Sequence, residues 1–172
     1  MADTLTLLRY GAVSAEGAKA ALETARTTLE SRHNTTQPYG DWGVLCAYPP
    51  YKRLKDTRSK SAFAFRYHNG SDWPYLDGIY AEERLRRGLG DARYALTRWW
   101  QACLDSGWAG AIEYYSPPYG RGSLLQGWSG LPADGAGPYS DPIRSPPKGA
   151  PQRPSMGRSS GRGRGDNRGG AH

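Results

Sequence analysis

A single carboxylate followed by aromatics, prolines and glycines marks the part of the chain best suited to chemistry: Glu113-Tyr-Tyr-Ser-Pro-Pro-Tyr-Gly-Arg-Gly-Ser-Leu-Leu-Gln-Gly-Trp-Ser-Gly130. Flat aromatic faces suit the C–H faces of sugar rings, and small residues allow close approach. A carboxylate can accept from hydroxyls or activate water. Pro117-Pro118 and Gly120-Arg121-Gly122 would break a helix or a central strand, so the segment reads as a loop. A second loaded loop, Tyr67-His-Asn-Gly-Ser-Asp-Trp-Pro-Tyr-Leu-Asp-Gly78, holds Tyr67, His68, Asn69, Asp72, Trp73, Tyr75 and Asp77. Glycoside cleavage needs two carboxyl groups across the bond, roughly 6.5–9.5 Å apart when water attacks directly. Glu113 is the candidate base, and its bland alternative is an ion pair with Arg121 or Arg98. Asp72 and Asp77 flank a helix start, where capping and the helix dipole also favour a carboxylate. His68 has no histidine or cysteine partner at metal-binding spacing, so neither a metal nor a cofactor is expected.

Helical patterns position these loops. Leu5, Leu7 and Leu8 run into Tyr10-Gly11 as a helix stopped by glycine. Ser14 offers an N-cap for a helix to about Ser31, with apolar residues near helical spacing. From Tyr39 to Arg66 the chain is a long irregular excursion with the basic run Lys52-Arg53-Leu54-Lys55; its aromatics favour function over disorder. Pro74 opens the next helix, which ends at Gly88. Asp91 is expected to cap another, Ala92 to Asp105, stopped by Gly107. Trp99-Trp100 reads as core and hairpin packing. The order is helix, helix, loaded loop, helix, helix, loaded loop.

Composition divides the 172 residues at about position 131. Residues 132–172 hold 9 Gly and 7 Pro, carry 7 Lys or Arg against 3 Asp, and so supply +4 of the net +7. The basic character therefore lies mainly outside the aromatic body, which is weak support for nucleic-acid binding by that body. The tail is expected to be disordered. Its Gly-Arg-Gly-Arg-Gly stretch is similar to RGG segments, making RNA binding a distant third reading. Cys46 and Cys103 show no metal or disulfide spacing and read as buried free thiols. No basic leader or run of about 20 apolar residues occurs, so no membrane partner and a cytoplasmic location are the default expectations.

Together the two loops resemble the C-terminal part of the six-hairpin, (α/α)6-toroid glycoside hydrolases, similar to bacterial glycogen-debranching (amylo-α-1,6-glucosidase) enzymes and related α-glucosidases. That family carries a Gly-x-x-Trp-Pro segment and, one hairpin later, a Glu-Tyr-x-x-Pro loop running into Gly-x-Trp-Ser. The resemblance spans residues 1–131. It implies an all-α, partial (α/α)6 toroid of about two hairpins with long functional loops. It also implies an inverting hydrolase of α-glucosides or α-glucans with Glu113 as general base. Substrate contacts are expected from His68, Asn69, Asp72, Trp73, Tyr115, Arg121, Gln126 and Trp128. The family's general acid has no equivalent here, and the tail departs from the family's closing helix. The chain is therefore expected to be a C-terminal fragment, inactive alone, completed by an upstream glycosidase chain. The alternative is a non-catalytic carbohydrate-binding or interaction protein.

Overall fold

The computed structural model describes residues 2–51, 58–108, 112–124 and 126–130. The tail and the Lys52–Lys55 basic run lie outside the described residues. What is described is predominantly helical: α1 (Ala2–Arg9), α2 (Ala15–Leu29), α3 (Pro74–Arg86) and α4 (Tyr94–Asp105), with one two-stranded antiparallel pair, β1 (Tyr115–Ser116) and β2 (Gly120–Arg121). None of these helices is long and apolar enough to cross a membrane.

The helix boundaries follow local chemistry. Gly11, Gly88 and Gly107 take left-handed backbone just after α1, α3 and α4, where a side chain would be strained. Ser14 Oγ accepts from the Gly17 N–H and caps α2 as its position predicts. Two boundaries differ from expectation. Helix α2 stops at Leu29, because Glu30 turns extended and bridges to Val44. Asp91 does not cap α4: it sits at φ +56°, the N-cap is Arg93 without a side-chain capping bond, and the Asp91 carboxylate lies 3.4 Å from Arg32 instead.

Helix α3 is the central element, packed against both α1 and α4. Its Leu76, Ile79 and Tyr80 join Leu5, Leu8, Leu22, Trp42, Val44, Leu45 and Ala95 in the main core. Burying such side chains stabilises by about 1.5–3 kcal/mol each. A smaller cluster forms from Trp99, Cys103 and Ile112. The tryptophan pair divides, with Trp99 buried and Trp100 half exposed. Both cysteines are free and buried, and burial pushes the Cys46 thiol up to about 11.

A buried polar network ties the helices together. Arg84, fully buried, donates to Gly90 O (2.6 Å) and Leu22 O (3.2 Å) and pairs with Glu23 (3.0 Å). Tyr80 donates to Glu30 (2.8 Å), which also receives Arg32 Nε at 2.7 Å. Helix α2, helix α3 and the α3–α4 turn thereby share partners that replace lost water.

Candidate functional site

The two loaded loops are joined through their main chains. Asp72 N–H donates to Tyr115 O and Tyr115 N–H to Asp72 O, both at 2.9 Å. Ser116 Oγ donates to Phe65 O, and Ser129 Oγ to Ile112 O. Around the β1–β2 turn, Glu113 N donates to Ser123 O and Gly122 N to Tyr114 O, each at 2.8 Å.

On this frame, Tyr67, His68, Trp73, Tyr75 and Trp128 line an open cavity of about 420 Å³. Trp73 is its floor. The His68 ring lies parallel on it, with centroids 4.6 Å apart and planes at 6°. Tyr114 stacks on it at 5.5 Å, and Tyr67 and Tyr75 meet it edge-on. Its indole N–H reaches Tyr67 O at 3.3 Å. Trp128 remains half exposed. Tyr67 adopts left-handed backbone at φ +51°, a conformation that costs on the order of 1–3 kcal/mol for a bulky residue and that the surrounding bonds must enforce.

Glu113 lies behind Tyr67 and is nearly buried. Its Oε2 accepts from Ser123 N–H at 3.2 Å and lies 3.9 Å from Lys60 Nζ. The Lys60 ammonium is 5.1 Å from the Tyr67 ring centre. Burial, followed by the charge of Glu113 and a hydrogen bond to it, holds the Tyr67 phenol above its ordinary range. Partial burial pushes the His68 imidazole down, opposed by the Glu113 charge. Gly122 permits this packing: a Cβ there would stand 2.4 Å from the Tyr114 ring and 2.9 Å from Glu113 Oε2. Glu113 is thus neighboured by Lys60 rather than by the anticipated arginines. Arg98 pairs with Asp41, and Arg121 donates to Gly122 O.

Of the residues expected to touch substrate, His68, Trp73 and Trp128 meet at one cavity, with Glu113 behind it. Five others are placed differently. Asn69 is fully buried and staples the loops: its Oδ1 accepts from Tyr51 N–H at 2.5 Å and its Nδ2 donates to Ser61 O at 3.1 Å. Asp72 is buried with Oδ2 facing Val44 N–H at 3.4 Å, and its oxygen occupies the space a Cβ on Gly43 would need. It has no route to a substrate hydroxyl. Tyr115 turns away from the cavity towards Trp42 and Trp108. Arg121 is exposed on β2 and does not line the cavity. Gln126, half-buried, accepts Ser129 N–H through its carbonyl and does not line the cavity either.

Beneath the Trp73 floor, Asp72 and Asp77 form a buried carboxyl pair. Burial pushes Asp72 up to about 7; burial together with the neighbouring Asp72 charge pushes Asp77 well above the carboxylate range. Neither Asp77 oxygen has a well-aligned hydrogen-bond partner. The pair is a structural feature beneath the site and lies outside the cavity lining.

Tyr67, Tyr75, Tyr114 and Lys60 are the participants that the expected set omits. The aromatic density of the first loop was a signal for the tyrosines. Lys60 lay in an irregular stretch with nothing to distinguish it from a solvated cation. Among the described residues, no group of three or more His, Cys, Asp or Glu is arranged to hold a metal ion.

Scanned against protein-family models, curated proteins and solved structures, the chain finds no significant match.

Proposed function

We propose that the aromatic cavity binds the ring of an α-glucoside or α-glucan and that Glu113 is the water-activating base of an inverting, debranching-type glycoside hydrolase. One observation carries the reading: Glu113 is a carboxylate hydrogen-bonded to a cavity wall, the Tyr67 phenol. Trp128 supplies the exposed stacking face, with His68, backed by the buried Trp73, as a polar edge. The Ser123 N–H donates to the Glu113 carboxylate, and the Lys60 ammonium lies 3.9 Å from the same oxygen. The larger architecture is then a partial (α/α)6 toroid, in which further helices belong against these.

Inversion also needs an acid, and none of the five lining residues carries a carboxyl group. The reading assigns that acid to a partner glycosidase chain. By itself, then, the chain binds a glucoside and turns it over poorly or not at all, since losing one member of an acid–base pair costs roughly 10²–10⁴ in rate. The same all-aromatic lining favours a second reading, a non-catalytic carbohydrate-binding protein.

Titration of the purified chain with maltose, isomaltose and a longer glucan, followed by an assay of released glucose, separates the two. Binding that is lost in Trp73→Ala, with hydrolysis that appears when the partner chain is added and vanishes in Glu113→Gln, supports the hydrolase. Binding unaffected by Glu113→Gln, with no turnover in any combination, supports the binding protein. Absence of glucan binding overturns both.

A further inference from the structure

A second cavity opens on the far side of Tyr115, between the start of the irregular excursion and α4. Tyr39, Asp41 and Trp42 of that excursion face Arg98 and Asp105 of α4, with Tyr115 and Pro117 as a further wall, around about 280 Å³. The volume falls below the roughly 300–1,000 Å³ typical of pockets for drug-sized ligands, so it suits one ring rather than an extended chain.

Its polar groups are held in place by bonds that leave capacity for a ligand. Asp41 Oδ1 accepts from Tyr94 OH at 2.5 Å. Arg98 Nε lies 3.3 Å from the same oxygen, yet it is buried and makes no aligned hydrogen bond. Asp105 Oδ1 accepts from Gln101 at 2.6 Å, one turn earlier on α4. Two carboxylates and one guanidinium thus share a small space with three aromatic rings. Mixed signs disfavour a phosphate or a strongly cationic ligand, because each would meet like charge. A neutral ring bearing several hydroxyls fits instead. Its O–H groups donate to Asp41 and Asp105, its oxygens accept from Arg98, and its C–H face lies on Tyr39 or Tyr115.

We infer that this cavity is an independent binding site for a single pyranose ring. The inference stands on residues other than Glu113 and does not require the hydrolase reading. The ring belongs either to a free monosaccharide or to one unit of a glucan.

Isotope-labelled full-length chain titrated with D-glucose in one arm and maltohexaose in the other tests this through the indole N–H signals in NMR spectra. Trp42 reports the second cavity; Trp73 and Trp128 report the first. The expected result is a saturating shift of the Trp42 signal. It weakens about tenfold in Asp105→Ala, the loss of one hydrogen bond to a charged group, while the Trp73 and Trp128 responses persist. Tyr39→Ala is the companion variant, exposed enough to leave the core intact. Saturation by glucose identifies a monosaccharide site, and saturation by maltohexaose alone a glucan unit. Shifts at Trp73 and Trp128 without Trp42 overturn the inference and leave the glucoside reading standing. A Trp42 shift alone does the reverse. A Trp42 shift unchanged in both variants overturns the placement.

Discussion

The two ends of α3 bury ionisable groups in contrasting ways. At its C-terminal end Arg84 has lost all contact with water, yet it donates to two carbonyls and meets Glu23. At its N-terminal end Asp77 is equally buried beside Asp72, and its oxygens lack aligned donors. The first arrangement stabilises the fold, because every charge-bearing group has recovered partners. The second is tolerated by holding protons, since burial raises both carboxyls towards neutrality. The cationic end fastens helices; the acidic end lies under the cavity floor.

The largest expected effect breaks the satisfied end. Arg84→Ala leaves the Leu22 and Gly90 carbonyls and the Tyr80–Glu30 pair short of a partner and opens a cavity. Chemical denaturation should show a loss of roughly 3 kcal/mol. If stability is unchanged, the network is not what joins the helices.

Gly122→Ala comes next and acts on the cavity side alone. The added methyl cannot coexist with the present Tyr114 and Glu113 positions, and overpacking of this kind costs about 1–3 kcal/mol. Glucan affinity should fall with it, measured by titration, while helix content by circular dichroism stays the same.

The third test sharpens the acidic end. An aspartate that titrates near 3.8 when unfolded and higher when folded binds more protons in the native state. Its contribution to stability is therefore present at acid pH and is lost as pH rises from about 4 towards and past Asp72's value of about 7. Asp77→Asn removes one of the two titrating groups and supplies an amide donor. Thermal melts between pH 4 and 8 should show a shallower decline, with a gain at pH 8 of about 1 kcal/mol, the scale of a one-unit shift. A variant less stable than the parent at pH 8 would contradict a strained pair.

Smallest is Ser14→Ala, remote from both ends of α3. Losing the cap bond to Gly17 N–H should cost about 0.5–1 kcal/mol by denaturant titration and leave ligand binding untouched.

The helices were readable because their stops and starts carry local signatures. Gly11, Ser14, Pro74, Gly88 and Gly107 all stand at helix boundaries. Asp91 misled because a capping residue type is also a good left-handed turn residue, and only the backbone angle distinguishes them. At the site, residue type singled out Trp73, His68 and Trp128, which the structure brings to one cavity. It failed for Asn69 and Asp72, whose polarity suggests a ligand but is spent on Tyr51, Ser61 and Val44. Those partners come from an excursion without periodicity, so no pattern announces that it folds over the loop. Tyr115 failed for another reason. Adjacent strand residues face opposite ways, and which of Tyr114 and Tyr115 faces Trp73 depends on register with β2.

The paired bonds between Asp72 and Tyr115 run from amide to carbonyl in both directions and use no side-chain atom. The mounting of the cavity is therefore indifferent to what Tyr67, Tyr75 or Trp128 become. Substituting those rings should change what the cavity accepts while the loop geometry survives, so a library confined to three positions varies the lining without disturbing its mounting.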